Sequence, residues 1–385
     1  MAERIVILGT GPLAAKLTAE LLALPGGRAM LLGVISEHPE AEPEFGCRHL
    51  GSLQDLQSIV ADERPQRVIV AMEEQYGRLN ADLLLELEAD GRVSVETGMD
   101  AYERITGKLA IESLTAKAVL FSERFRPSRA ALACARAYSL LAAVLGLILF
   151  LPLMVLLALA VRLESPGPVL FVQERVGLGG RRFKLLKFRS MRAADGAHSE
   201  WAADNESRIT RTGKWLRKFR LDELPQFINV LRGDMNLVGP RPHPDSNRRL
   251  FILVSRNTPE CGETIPYYSL RSSIRPGITG WAQVRYKYAN GLDEEIEKLR
   301  YDLYYIKHYS LLMDLKILLE TVKVVLLGHR SQARGPLPVL EEEPAFEPSQ
   351  PLLPGLAEAL EAHPPQPPVG ASGVRLDSGS SLGAP

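Results

Sequence analysis

Residues 137–161 contain no charged side chain, and a proline, Pro152, stands inside the run. Wholly helical, such a segment is about 37 Å long at ~1.5 Å per residue, enough to cross a bilayer. A buried core helix is the soluble alternative, but few globular cores need so long an uncharged run. Pro152 deletes a backbone hydrogen bond and is expected to kink the helix. Both flanks are basic: Arg124, Arg126, Arg129 and Arg136 precede the run, and Arg162, Arg175 and Arg181 follow it. Lys and Arg gather on the cytoplasmic side of membrane segments, so a simple crossing leaves one basic flank outside. A helix that enters, bends at Pro152 and returns keeps both inside. This re-entrant form is expected over 137–162.

Ahead of it, residues 1–120 read as alternating strands (4–8, 30–35, 67–71, 92–96) and helices (13–24, 53–62, 80–89). That alternation indicates an α/β domain whose parallel sheet is covered on its faces. Gly9-Thr10-Gly11-Pro12-Leu13-Ala14 follows the first strand and opens the first helix, a GxGxxA turn of the Rossmann-like kind. Small residues there let backbone amides approach a pyrophosphate, and Glu37 after the second strand would meet a ribose hydroxyl. The same glycines equally serve a fold that only needs the turn, and Pro12 removes one amide. Nucleotide binding and a bare scaffold both stay open for this domain.

A basic linker, 121–136, leads into the apolar run. Beyond it, residues 163–330 form a mixed, basic, α+β region. Strands are expected at 169–172 and 182–188, with a helix at 311–327 whose apolar spacing suits a membrane surface or a core. Residues 331–385, rich in Pro, Gly, Ser and Glu, bury too little apolar surface to fold and are expected to be disordered. Lys plus Arg equals Asp plus Glu at 46 each. The net balance says nothing about a partner; nucleic acid is not expected as one. The distribution of charge matters more: a basic centre against an acidic tail. Three separated cysteines, Cys47, Cys134 and Cys261, argue against a disulfide framework or a zinc site and fit a reducing compartment. The apolar stretch at residues 5–8 is too short for a signal peptide.

The chemistry concentrates around Asp222-Glu223. A run of Arg208, Arg211, Lys214, Arg217, Lys218 and Arg220 lies upstream with no acid in it, and Gly239-Pro240-Arg241-Pro242 lies downstream. Pro225 is tolerated only in the first turn of a helix, so a helix is expected to begin near Asp222 or Glu223 and run to about 231. Adjacent helical residues face different ways, which lets one carboxylate attack while the other holds a metal or directs a proton. An ionised carboxylate attacks phosphorus once the target's charge is neutralised. Arg241, Arg220, Lys187 and Arg189 are candidates for that neutralisation. Mg²⁺, bound by Asp222 and Glu223 together with substrate phosphates, would supply the rest. By spacing alone, the pair is also an ordinary helix start.

Five ordered motifs extend the reading: Gln173-Glu174-Arg175-Val176-Gly177, Lys187-Phe188-Arg189-Ser190-Met191, Asp222-Glu223-Leu224-Pro225-Gln226, Asn236-Leu237-Val238-Gly239-Pro240-Arg241-Pro242, and Arg275-Pro276-Gly277-Ile278-Thr279-Gly280-Trp281-Ala282-Gln283. With the preceding apolar segment, they resemble the bacterial sugar transferases known as polyprenyl-phosphate glycosyl-phosphate transferases (monotopic phosphoglycosyl transferases). The similarity covers roughly 136–330. The first part is similar to the Rossmann-like domain of larger members, and residues 102–108 resemble the linker of exopolysaccharide-type enzymes associated with PEP-CTERM/exosortase loci. The resemblance implies transfer of a sugar 1-phosphate from a UDP-sugar to undecaprenyl phosphate at the cytoplasmic face of the inner membrane, with release of UMP and initiation of exopolysaccharide assembly. It implies that Asp222 forms a phosphosugar-aspartyl intermediate, that Glu223 completes the pair with Mg²⁺, and that Arg241 grips phosphate. Lys187, Arg189 and Arg275 either join that grip or keep the basic face folded. A homodimer is compatible with large relatives. One departure stands out: many members carry serine before the helix-breaking proline, where this chain has Leu151.

Two side chains and one short segment stay open at this stage. His243, beside Pro242, reads either as a general base or as a solvent-exposed loop histidine, the commoner state of one without an identified partner. Trp281 either stacks on uracil or packs under its loop. Residues 301–305 read as a helix with an interface-seeking aromatic face. Two rival functions use the first domain instead, as a nucleotide-sugar-modifying NAD-dependent enzyme or as a membrane-tethered nucleotide sensor. The missing Tyr-x-x-x-Lys pair after the fourth strand counts against the enzyme.

Overall fold

A computed structural model describes residues 2–24, 29–37, 45–72, 81–91, 93–114, 119, 121–192, 207–244, 267–286 and 292–327. Residues 80 and 92, at the ends of two expected elements, and the expected tail 331–385 lie outside this set.

The chain opens with β1 (Glu3–Leu8), α1 (Pro12–Leu22), β2 (Ala29–Ser36), β3 (His49–Ser52), α2 (Leu56–Glu63), β4 (Arg67–Val70), α3 (Ala81–Ala89), β5 (Ser94–Thr97) and α4 (Gly98–Thr106). The strands form one five-stranded sheet in the order β3-β2-β1-β4-β5, with every pairing parallel. Strand periodicity explains its two covered faces. Ile5 and Ile7 pack with Leu13, Leu17 and Ala101, while Val6 and Leu8 pack with Leu56, Ile59 and Leu84. The expected alternation is therefore observed, with one strand added at the edge. The sequence His-Leu-Gly-Ser of β3 has no apolar alternation to betray it.

Helix α5 (Arg129–Glu164) follows. Ser128 caps it by accepting from the Ala131 amide at 3.1 Å. The helix starts eight residues earlier than the charge-free run alone suggests, and it continues through Pro152. Among the described residues it is the one helix long and apolar enough to cross a membrane. Its side chains divide into two faces. Ala143, Met154, Leu157, Ala158 and Val161 pack against the rest of the protein, whereas Leu141, Leu145, Ile148, Leu149, Val155, Leu156 and Leu159 are exposed.

The remaining body comprises β6 (Leu170–Val176), β7 (Arg182–Phe188), α6 (Arg211–Lys218), α7 (Gln226–Arg232), β8 (Asn236–Val238), β9 (Gly277–Thr279), α8 (Trp281–Arg285), α9 (Leu292–Lys307) and α10 (Leu311–Leu327). Strands β6 and β7 form an antiparallel hairpin, and β8 pairs in parallel with β9. The second pairing was invisible in the sequence, yet it joins two of the five motifs. Gly239 and Gly277 make it feasible: a Cβ on Gly239 would lie 2.5 Å from the Arg275 carbonyl. Helix α10 matches its expected bounds and leaves Leu311, Leu312, Leu315, Leu319, Val322 and Leu326 exposed. The aromatic face of α9 differs from expectation. Tyr301 and Tyr305 are buried in the core with Leu299, Leu303 and Ile306 rather than turned toward an interface.

Candidate active site

Asp222 and Glu223 sit where three elements converge. Arg220 adopts left-handed backbone angles, φ +54°, and turns the chain out of α6. Leu221–Glu223 then form a single 3-10 turn, and α7 begins at Gln226 with Pro225 as its cap. The expected helix start at Asp222 is thus tightened into a separate turn, because Pro225 offers no amide to a continuous ladder. Leu221 and Leu224 pack with Val161, Phe188 and Leu216, which fastens the turn to the C-terminal end of the apolar helix. Glu164, in the last turn of α5, accepts from the Arg211 and Thr212 amides at 2.6 and 2.9 Å and so docks the start of α6. Asn229, fully buried, accepts from the Leu186 amide at 3.0 Å and donates to the Lys184 carbonyl at 2.7 Å. That clamp ties α7 to β7 and sets Lys187 opposite the acidic turn.

The two carboxylates have unlike surroundings. Glu223 is buried; one Oε receives the Arg241 guanidinium at 2.8 Å and the other lies 3.8 Å from Arg220. Burial alone would raise its pKa, but Arg241, Lys187 and Arg220 outweigh it and hold Glu223 well below the usual carboxylate range. Asp222 is half-buried and has no hydrogen-bond or ion-pair partner among the described residues. Removal from water raises its carboxyl to about 6; Glu223 adds to the rise, against the pull of Lys187, Arg241 and Arg217. Lys187 is lowered to about 8, first by burial and then by Arg241. Separated pKa values on neighbouring acids are the mark of divided roles. One carboxylate is anchored and permanently ionised; the other is unattached and titrates near neutrality.

Lys187, Arg220 and Arg241 are therefore brought to the pair, as the sequence indicated, and Arg217 joins them. Arg189 and Arg275 are occupied elsewhere. Arg189 donates to the Ser165 and Pro166 carbonyls at 2.6 and 2.9 Å, securing the turn that ends α5. Arg275 donates to the Gly233 carbonyl at 3.2 Å, behind the C-terminus of α7. No group of three or more metal-ligating side chains is assembled among the described residues. The unattached Asp222 beside Glu223 fits an ion that takes one or two carboxylates and completes its shell with water and phosphate, the habit of Mg²⁺.

His243 is not the solvent-exposed residue expected from its loop. Its side chain is 10% exposed, with the Tyr268 hydroxyl 2.7 Å from Nδ1 and Glu295 3.4 Å from Nε2. Burial, then Arg271, keeps its pKa well below the usual histidine value, so the ring is neutral. Trp281 packs, as one of its two readings proposed: it is buried, stacks on Tyr304 and donates to the Gly107 carbonyl at 2.8 Å. In the first domain, Gly9 lies against the Ala71 carbonyl with φ +114°, and its amide donates to Ile35 at 2.8 Å. Gly11 caps α1 through backbone alone, with Pro12 as the first helical residue. Glu37 follows the end of β2, half-buried.

Comparison with known proteins adds three relatives and a family. The bacterial sugar transferase family matches residues 130–328, a little over half of the chain. Over 194 residues the chain is 46% identical to a UDP-N-acetylgalactosamine-undecaprenyl-phosphate N-acetylgalactosaminephosphotransferase of Aeromonas hydrophila, covering 50% of this chain and 44% of that protein. It is 44% identical over 198 residues to a UDP-glucose:undecaprenyl-phosphate glucose-1-phosphate transferase of Xanthomonas campestris pv. campestris, covering 49% of this chain and 38% of that protein. A transferase with the same name from Caulobacter vibrioides is 45% identical over 196 residues, covering 50% of this chain and 69% of that protein. The match thus spans less than half of the Aeromonas and Xanthomonas proteins.

Proposed function

The chain belongs to the bacterial sugar transferase family, and we propose that it transfers a sugar 1-phosphate from a UDP-sugar to undecaprenyl phosphate. The observation that carries this reading is an unattached carboxylate, Asp222, ringed by Lys187, Arg217 and Arg241 at the foot of an apolar helix. An Asp222 oxygen attacks the sugar-linked phosphorus. The phosphorus–oxygen bond to UMP breaks, and the bridging oxygen leaves with UMP. An oxygen of undecaprenyl phosphate then attacks the same phosphorus, the aspartyl bond breaks, and a sugar-linked undecaprenyl diphosphate is released. Glu223, fixed by Arg241, keeps that cation beside the reacting phosphate. Mg²⁺ would be held by Asp222 and Glu223 and would neutralise charge on the donor diphosphate.

The reading extends to the membrane. Both ends of α5 rest on one body. Arg136 donates to the Val230 and Met235 carbonyls at 2.7 and 2.9 Å, and Ser139 accepts from the Leu237 amide at 3.1 Å. Val161, at the other end, packs on Phe188 and Leu216. A straight crossing would part the two ends by about 30 Å of hydrocarbon. These contacts support a re-entrant helix with both flanks on the cytoplasmic face of the inner membrane. The order β3-β2-β1-β4-β5 supports a Rossmann-like first domain. The Gly9 amide is engaged and Pro12 lacks one, so its turn offers a pyrophosphate two donors fewer, which favours a scaffold over a nucleotide sensor.

The test is UMP release and lipid-linked product formation with UDP-glucose and UDP-N-acetylgalactosamine as donors. Asp222→Asn is expected to abolish both and to lose the phosphosugar adduct that acid quenching traps on the active protein. Unchanged turnover in that variant would refute Asp222 as the nucleophile.

A further inference from the structure

Arg241 meets Glu223 from a loop, 239–243, that has little regular structure of its own. A second arginine holds that loop. Arg271, whose side chain is 8% exposed, lies in the 3-10 segment Tyr268–Ser273 and reaches across to the backbone of Arg241. Its Nη2 donates to the Arg241 carbonyl at 3.1 Å and lies 2.6 Å from Asp302 on α9. Its Nη1 sits 2.8 Å from His243 Nδ1, and the guanidinium stands over the Tyr268 ring at 5.5 Å. Glu295, also on α9 and balanced by Lys298 at 3.1 Å, backs His243 from the other side. The hairpin completes the suspension: Arg175 donates to the Pro242 carbonyl at 3.0 Å, and the Val176 amide to the His243 carbonyl at 3.0 Å.

We propose that Arg271 is a positioning residue for Arg241, holding loop 239–243 against α9 so that the Arg241 guanidinium meets the acidic pair and the substrate phosphate. The charge of Arg271 is already matched by Asp302, so its contribution is geometric. A fork is needed for it, because one guanidinium must face Asp302, His243 and a carbonyl together. Lysine keeps the charge opposite Asp302 but not the fork. The proposal rests on the assigned role of Arg241.

The experiment is a double-mutant cycle in the full-length, membrane-embedded protein: parent, Arg241→Ala, Arg271→Lys and the double variant. It is read on kcat/KM and on Kd for UDP, with the melting temperature as control. Displacement of a phosphate-binding group by about 1 Å costs up to roughly 100-fold in rate. Arg271→Lys is therefore expected to lower kcat/KM about 10- to 100-fold with the melting temperature nearly unchanged. In the Arg241→Ala background it is expected to change neither Kd nor any measurable rate further. Equal losses in both backgrounds would show that Arg271 acts independently and would overturn the proposal, as would parental activity in Arg271→Lys. Where Arg271→Lys does not accumulate, Asp302→Asn, which keeps the shape, enters the same cycle with the same kinetic expectations and a lowered melting temperature, assayed below it. Parental activity and UDP affinity in Arg241→Ala would overturn both this proposal and the phosphate-binding role beneath it; an additive cycle leaves that role standing.

Discussion

Neighbouring acids with unlike partners titrate apart, and the pH profile should show it. In the proposed mechanism, Asp222 attacks only as a carboxylate. With its pKa raised to about 6, kcat/KM is expected to fall about tenfold per pH unit below that value. Lys187 is charged only below about 8, so the rate should fall again on the alkaline side. The limbs belong to the coupled cluster, and neighbouring cations move them predictably. Losing a cation favours the neutral acid, so Arg241→Ala should shift the acidic limb upward. Arginine stays charged at every working pH, so Lys187→Arg should lose the basic limb whatever its absolute rate. A basic limb that persists in that variant assigns it to another group. At this scale the residue types and local density drew attention to Asp222, Glu223, Lys187, Arg220 and Arg241, and the fold does bring these side chains together. The sequence was silent about Asn229 and Arg271. Asn229 clamps Leu186 and Lys184, and Arg271 holds Arg241 and Asp302, all more than 25 positions away, and neither differs locally from an ordinary polar residue.

The elements that aim the site are short, and their close approach makes them fragile. Backbone amides of Asn236 and Gly239 donate to Pro276 and Thr279 at 2.8 and 2.9 Å, and the Gly277 amide donates to Pro240 at 3.0 Å. Gly239→Ala would force a methyl against the Arg275 carbonyl. It is expected to destabilise the protein by about 2–3 kcal/mol and to weaken UDP binding, because the Arg241 loop leaves from this pair. Thermal unfolding in detergent and UDP titration measure the two effects. The pairing escaped sequence reading because its strands are three residues long, lie about forty positions apart and carry the glycines and prolines that ordinarily mark turns. Strand β7, α10 and the parallel sheet were legible because each repeats its period over enough residues to stand out, whereas β6, expected at 169–172, runs on to Val176 through the charged Glu174 and Arg175, and its pairing with β7 was not read. Helix α5 gives a test of its own. Cysteines placed at the exposed Arg129 and Leu163, in a background free of other thiols, should both react with an impermeant maleimide from the cytoplasmic side of inside-out vesicles. Labelling of one only from the opposite face would mean that the helix crosses.

On the scale of the whole molecule, the first domain is built into the body that carries the candidate site. The chain leaves α4 at Gly107, whose left-handed backbone, φ +69°, brings it against the Trp281 ring. It then runs beside α9, where the Leu109 amide donates to the Arg300 carbonyl at 3.1 Å. Leu109, Ile111, Leu114 and Phe125 share one core with Trp281, Leu299, Leu303, Tyr305 and Ile306. Higher up, Glu103 is buried and accepts from Lys307 and His308 at 2.6 and 2.8 Å. The opposite face of α9 carries Glu295 and Asp302, which brace the Arg241 loop. The family match begins at residue 130 and would place the boundary there. The packing places the functional boundary earlier, because a fragment starting at 129 leaves the apolar groove on α9 and Trp281 open to water. Four apolar side chains lost from that groove remove burial worth roughly 1.5–3 kcal/mol each, on the order of a domain's whole stability. A fragment of residues 107–332 keeps them and gives up mainly the polar Glu103 contacts. The longer fragment is therefore expected to melt cooperatively and to release UMP at a measurable rate, while 129–332 should aggregate or unfold at the assay temperature. Equal melting temperatures for the two fragments would show that 107–128 only tethers the first domain and takes no part in holding α9.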